Sequence, residues 1–524
     1  MKPKMIITTV TLLSLGAGLS CSSDTPSTPE HTTYLTAETA PLHHLLPEET
    51  VLAVELRDLP RRWNEIRSIR SLARFQDQLL QQVGLNSDDI PLIAGERCVV
   101  ALVSSADGRT VVPIAVLLPP SEPEAHAIVE SLSTNWTLVK ARGALWIGPQ
   151  HMTHEMTIAA LGNGTSLADV IPTAEASHRL PTGGLVRGWV NPMALKHVFQ
   201  ARVEGSLPDM IDVFGMFLSA ELEAVRWIAF RRDVELATIT TDASVAYDLS
   251  ALPPEVASVF NPVASKPQMP VDLPSSVVVA AAFRPEAEVT LAWLRYVAQA
   301  NATSSLRNLD FWIDEFENRY GHDLESDLFE AVGEHGWFLG LEGVGGEPPA
   351  WLIVLQAKDA NSVESTLLNL LNWSKEHAWA RTLGLAVPRI DHQDVAGATA
   401  HVVAVRTPFG QVAGPLFATV DDHLVAGTDE NALQTGIALV RAGSFSADGG
   451  ARAGSTPAHA SFWARGPAVT GLAQSILELA DTDSHNALVG AVAGLIAGFV
   501  SAAARAWYEQ DALLLHGEIE LDGS

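Results

Sequence analysis

Two stretches of the chain carry the same succession of features, and they restrict its architecture more than anything else in it. Gly84-Leu-Asn-Ser-Asp-Asp-Ile-Pro-Leu-Ile-Ala-Gly95-Glu96 runs into the apolar segment Cys98–Val103. Gly321-His-Asp-Leu-Glu-Ser-Asp-Leu-Phe-Glu-Ala-Val-Gly333-Glu334 runs into Trp337–Leu341. Each reads as a helix end, an acidic connector, a Gly-Glu turn and a buried strand, because a short apolar run bounded by turn residues is the signature of a strand covered on both faces.

The surrounding order repeats as well. Leu46-Pro47 opens a strand carrying Val51, Ala53, Val54 and Leu56, and Leu273-Pro274 opens one carrying Val278, Ala280, Ala281 and Phe283. In the first copy Trp63, Ile66, Ile69, Leu72, Phe75 and Leu79 step at helical spacing, with Arg61, Arg67 and Arg74 on the solvated side. Strands are expected at Val111–Leu118, Trp136–Val139, Ala144–Ile147 and Gly184–Val190, then helices at Pro192–Phe199 and Asp209–Glu223, then a closing strand pair, Val225–Phe230 with Leu236–Tyr247. The second copy places helices at Glu286–Gln299, Leu306–Tyr320 and Val363–Leu371, the last capped by Asn361 with Glu364 three residues on. Its strands fall at Trp351–Leu355, Ala400–Arg406, Leu416–Val420, His423–Gly427 and Ala458–Ala464, and Arg505–Tyr508 with Leu513–Leu521 close it. The expected fold is α+β: two tandem related modules, each a mostly antiparallel sheet with helices packed on one face. The expected boundaries are 1–20 signal peptide, 21–45 tether, 46–252 first module, 253–272 linker and 273–524 second module.

Composition narrows the function classes. The formal charge is −28 over 524 residues, so a nucleic-acid backbone would be repelled and is not an expected partner. Cys21 and Cys98 are the two cysteines, too few for a disulfide framework or a cysteine-rich zinc site.

Cys21 sits where a processing signal ends. Lys2 and Lys4 precede the uncharged, mostly apolar Met5–Leu19, a length suited to a signal peptide and short for a membrane span. Gly18-Leu19-Ser20-Cys21 resembles the lipobox of bacterial lipoproteins, with its leucine one place later than usual. That resemblance implies acylation of the Cys21 thiol, and the uncharged Ser22 after it implies sorting to the outer membrane. Gly18 and Ser20 also suit ordinary signal-peptide cleavage. Ser22–Pro41, rich in Ser, Thr, Pro and Glu, has little to bury and suits a tether. The body, through its Leu-Pro opening strand and the Asp-rich connector before Gly-Glu, resembles a domain family of unknown function found in bacterial envelope and secreted proteins. That resemblance transfers no catalytic residue.

The candidate sites are weak. His151, His154 and Glu155 lie together but in neither zinc-protease order. Asp391, His392 and Asp394, and Asp421, Asp422 and His423, have metal-ligand chemistry but stand at expected strand ends or turns, where polar residues are ordinary. Asp310, Asp314 and Glu317 share a helix face that reads as solvated. Cys98 reads as a buried, inert thiol. Ala487–Ala504, with Gly490, Gly494 and Gly498, reads as a tightly packed internal helix rather than a span. The 13 tryptophans fall mostly on core positions. No cofactor or metal is expected. The reading that results is a non-catalytic, lipid-anchored envelope protein, held to a membrane by N-terminal acyl chains and presenting a binding surface or inter-module groove to a protein or small molecule. The alternatives are an envelope hydrolase with a dispersed site and a carrier of an apolar ligand.

Overall fold

The computed structural model describes residues 45–57, 88–104, 111–118, 136–150, 166–171, 184–203, 223–258, 269–300, 309–342, 350–374, 389–445, 460–465 and 499–521, apart from a few positions within these stretches, and a few isolated positions besides. The N-terminal signal and tether, His151, His154 and Glu155, the helix carrying Ile66 to Leu79, and Asp209–Leu222 lie outside the described residues, as do Gly490, Gly494 and Gly498.

The first run of strands is β1 (Thr50–Arg57), β2 (Arg97–Ser104), β3 (Val111–Leu117), β4 (Trp136–Ala141), β5 (Ala144–Pro149), β6 (Val186–Val190), β7 (Val225–Glu235) and β8 (Thr238–Tyr247). The second is β9 (Val277–Phe283), β10 (Val332–Leu341), β11 (Ala350–Ala357), β12 (Arg389–Val395), β13 (Ala398–Thr407), β14 (Gly410–Val420), β15 (His423–Gly427), β16 (Ala460–Arg465), β17 (Phe499–Glu509) and β18 (Ala512–Leu521). Pairing in the first run follows the order β4-β5-β3-β2-β1-β6-β7-β8. In the second it is β12-β13-β14-β15-β11-β10-β9-β16-β17-β18. The order therefore repeats, and β12 with β13 is added at the outer edge of the second run.

The expectation of two modules, each with its own sheet, is overturned. β8 and β18 pair with each other from Ala246↔Ala512 to Thr238↔Glu520, so the strands among the described residues form one antiparallel sheet of 18. Each closing hairpin would otherwise end in a row of unpaired backbone groups, and joining the two rows satisfies both. Nor are there two self-sufficient interiors. Ala512, from the last strand, is fully buried in the core built on Trp146, Trp189 and Trp227. A second cluster joins Val225 and Tyr247 to Val289, Tyr508 and Leu513.

Helices cover both faces of the second run rather than one. α1 is Asp89–Ala94, α2 Leu167–Val170, α3 Pro192–Val203, α4 Pro254–Ser258, α5 Ala287–Ala300, α6 Leu309–Tyr320, α7 Ala360–Ser374 and α8 Glu430–Arg441. α8 lays Leu433, Ile437 and Val440 on Leu352, Val354 and Val425. α7 lays Val363 on Val403, Phe417 and Leu424, which point the other way. α7 begins one residue before its expected cap. Asp359, not Asn361, accepts the free backbone N–H of Ser362. The stretch expected as a linker holds α4, and one expectation about chain path fails. The run expected as a helix through Ala504 is strand from Phe499 onward. Asp391 and His392 lie inside β12, and Asp394 stands next to its last residue, before the turn into β13.

Close packing in the sheet depends on glycine at several of the described positions, Gly188 and Gly336 among them. A Cβ on Gly188 would lie 2.0 Å from the Phe230 ring across the β6–β7 pair, and one on Gly336 would lie 2.6 Å from Phe283 across β9–β10. Gly517, in β18, has its nearest such neighbour at 3.6 Å. Gly188→Ala should therefore cost about 1–3 kcal/mol by overpacking, whereas Gly517→Ala should change stability by less than about 0.5 kcal/mol. Urea unfolding of the two variants checks the contrast.

Candidate functional site

Because residues directly opposite in an antiparallel pair share a face, the register identifies what each side of the sheet carries. On one face, the row Phe462–Ala281–Phe338–Ile353 runs across β16, β9, β10 and β11, and continues the other way through Ala504 of β17, Gly517 of β18 and Thr241 of β8. The rows on either side carry Leu515, Ala506, Ala460, Phe283, Gly336 and Leu355, or Ile519, Ala502, Ala464, Val279, Gly340 and Trp351. Across these strands the three rows contain no Asp, Glu, Lys, Arg or His. Phe462 is 39%, Ile353 40% and Leu515 36% exposed. Phe338 stacks on Trp351 with ring centroids 5.0 Å apart.

Beyond β11 the same row continues through Ala426 of β15 and Phe417 of β14 to His401 of β13 and His392 of β12. Here α7 comes down on the sheet and brings Glu364. Glu364 Oε1 lies 2.6 Å from His401 Nε2, and His401 Nδ1 lies 2.9 Å from His392 Nδ1. Thr419 Oγ1 donates to Glu364 Oε2. His401 is 4% exposed, with the Phe417 ring 4.9 Å from its own, whereas His392 is exposed. On the next-but-one position of α7, Thr366 Oγ1 lies 3.1 Å from His322 Nδ1, which also lies 3.2 Å from Asp327 Oδ2.

The opposite face carries a row of charges across the first run. Glu55, Arg187, Arg231, Asp242 and His516 stand opposite one another from β1 through β6, β7 and β8 to β18. Arg97 and Arg57 hold Glu55, Arg231 bridges Asp233 and Asp242, and Asp242 reaches His516 Nδ1 at 2.8 Å. Burial would raise the Glu55 pKa, but the charges and hydrogen bonds of Arg57 and Arg97 outweigh it and hold the carboxyl below its usual range. Arg232, pointing to the other face, is desolvated down to about 10 and donates to Thr241.

The other sequence candidates do not converge. Asp310 pairs with Arg295, and Glu317 accepts from the Leu324 backbone. Asp314 is exposed on the same helix. Asp394 accepts from Gly397 N and so shapes the β12–β13 turn. Asp391 points to the opposite side of β12 from His392. Asp422 lies 2.7 Å from His423 Nδ1, and burial holds the His423 imidazole below its ordinary pKa against the pull of Asp422. His335, on the other side of Trp337, was not singled out from the sequence. Cys98 is buried, and burial followed by the Glu55 charge pushes its thiol up to about 12. Among the described residues no group of three or more His, Cys, Asp and Glu is placed to hold a metal ion. Among them, too, no helix is long and apolar enough to cross a membrane.

His401 and Glu364 were missed as site residues because they meet only in space. Ala396 and Gly397, at φ of 52° and 74°, form the two-residue turn that sets His392 opposite His401, but Ala-Gly is not one of the pairs that mark such a turn in a sequence.

No protein-family model and no curated protein matches the chain. One solved structure that does, TP0453 in its crystal form I, covers 40% of this chain and 79% of its own at 8% identity and a TM-score of 0.24, a likeness too slight to carry any argument.

Proposed function

We propose that the protein is an exported envelope lipoprotein, anchored through acylated Cys21, that presents the uncharged face of its sheet to the apolar surface of a partner protein. One observation carries the binding part of this reading. In a chain of net charge −28, three rows on one face, spanning β8, β18, β17, β16, β9, β10 and β11, bear no charge and leave Phe462, Ile353 and Leu515 partly open. Exposed apolar side chains grouped on one uncharged face are a feature of interaction sites. The lipobox-like Gly18-Leu19-Ser20-Cys21 supports the anchor, since two or more acyl chains, at about 0.8 kcal/mol per buried methylene, hold a protein firmly.

Cys21→Ser should move the protein from the membrane fraction to the soluble fraction, and unchanged fractionation removes the anchor. A photo-crosslinking residue at position 462 or 353 should capture a partner in cells, whereas one at Met193, which is 61% exposed on α3, should not. Equal capture from all three positions removes the binding face. A second reading, an envelope hydrolase assembled from residues distant in sequence, is favoured by one observation, the Glu364–His401–His392 chain.

A further inference from the structure

We propose that His392 is a nucleophile activated toward acyl groups by a relay through His401 to Glu364. The inference rests on the second reading above and adds to it the reacting atom and the substrate class, activated carboxylic esters. Hydrogen-bond accounting fixes the tautomers. Both Glu364 oxygens are occupied as acceptors, Oε2 by the Thr419 hydroxyl and Oε1 by His401 Nε2. His401 in its neutral form therefore carries its proton on Nε2 and offers a lone pair at Nδ1. His392 Nδ1, 2.9 Å away, is then the donor, and the free lone pair of His392 is on Nε2. His401 is almost completely enclosed, between the Phe417 ring and α7, while His392 is exposed at the outer strand of the sheet. A carboxylate oriented on a buried imidazole, which is in turn oriented on an exposed one, is the arrangement by which a base holds a nucleophile in its reactive tautomer.

The step balances with water as the only co-reactant. His392 Nε2 attacks the ester carbonyl carbon, an N–C bond forms, and the C–O bond to the leaving alcohol breaks with its electron pair going to that oxygen. The Nδ1 proton of the acylated ring passes to His401 Nδ1, and the resulting charge lies beside Glu364. Water then attacks the acyl carbon, keeping one proton on the carboxylic acid and yielding the other, through solvent, to the departed alkoxide; the C–N bond breaks with its pair returning to Nε2, and His401 Nδ1 gives its proton back to His392 Nδ1 as the acid leaves. His392 is the catalytic residue here; His401 and Glu364 are positioning residues.

The full-length protein carries an internal reference, His197, exposed on α3. With 4-nitrophenyl acetate as the probe, peptide mapping by mass spectrometry should find the acetyl group on His392 at least about tenfold faster than on His197, and His392→Gln should abolish that label while leaving thermal unfolding unchanged. Glu364→Gln, whose amide oxygen can still accept from His401, should slow acylation about tenfold and displace the rise of its pH–rate profile to lower pH. Loss of a purely structural contact would slow the reaction without displacing the profile. Equal labelling of His392 and His197, or a Glu364→Gln profile superimposable on that of the parent, overturns the relay. Rapid acylation without release of the acid supports the relay and removes the hydrolase reading alone. In every case His392→Gln should leave photo-crosslinking from position 462 intact.

Discussion

Replacing Glu55 with Ala should lower the stability of the protein by about 3–5 kcal/mol, the usual consequence of removing one partner from a buried ion pair. The Glu55 side chain is fully buried in β1. Its Oε1 takes Arg97 Nη2 at 2.9 Å and Arg57 Nε at 3.2 Å, and Oε2 takes Arg57 Nη2 at 3.2 Å. Arg187 stands directly opposite on β6, with its own pKa lowered first by burial and then by Arg57. Without Glu55, three guanidiniums on adjacent strands face one another with no carboxylate between them, and like charges so placed repel. Equilibrium unfolding in urea measures the loss. A change under about 1 kcal/mol would show that water solvates the arginines where the structure has them packed.

The same carboxylate makes stability depend on pH, and the sign follows from the direction of its shift. Its pKa is lower folded than unfolded, because the two arginines outweigh burial. Its stabilising contribution is therefore complete above the unfolded carboxylate value of about 4.3 and is lost as pH falls through the lower folded value. Glu55→Gln should remove this part of the acid limb, so that the stabilities of parent and variant converge as pH falls through that window. Divergence on acidification would contradict the assignment.

Much of the strand layout is legible in the sequence because each strand writes its burial into residue type. Val99, Ala101 and Val103 all face the core from β2, and Ala280 and Ala282 do so from β9. β12 escapes detection because Arg-Ile-Asp-His-Gln-Asp-Val is almost wholly polar. It lies at the outer edge of the sheet, where such residues discourage further pairing. The last part of Ala487–Ala504 reads as helix because alanine is the strongest helix former. In β17 the same alanines lie flat between β16 and β18, and neighbouring strands override propensity. The β8–β18 junction is made mainly by backbone groups, and the side-chain hydrogen bond across it, Asp242 to His516, joins residues 274 positions apart that nothing in the sequence pairs. The relay is hidden for a similar reason. Glu364 and His401 are 37 residues apart, and only the docking of α7 on β13 and β14 brings them together.

That junction leads to the second large expected effect. Trp227, fully buried in the core of the first run, and Trp337, 2% exposed in the core of the second, should each cost about 3–5 kcal/mol when replaced by Ala. Two independent modules would unfold separately, and each variant would shift only the half that contains it. In this protein the first core includes Ala512, nine consecutive residues of β18 pair with β8 from Ala512↔Ala246 to Glu520↔Thr238, and α5 contributes Val289 to a cluster with Val225 and Tyr247. Neither run can open without stripping a strand from the other. Both variants should therefore lower the midpoint of one shared transition, followed by near-ultraviolet circular dichroism in urea. Hydrogen exchange should show the amides of β8 and β18 losing protection together in either variant. A biphasic curve in which Trp227→Ala moves one phase and Trp337→Ala the other would mean that the strand pairing through β8 and β18 does not couple the two cores.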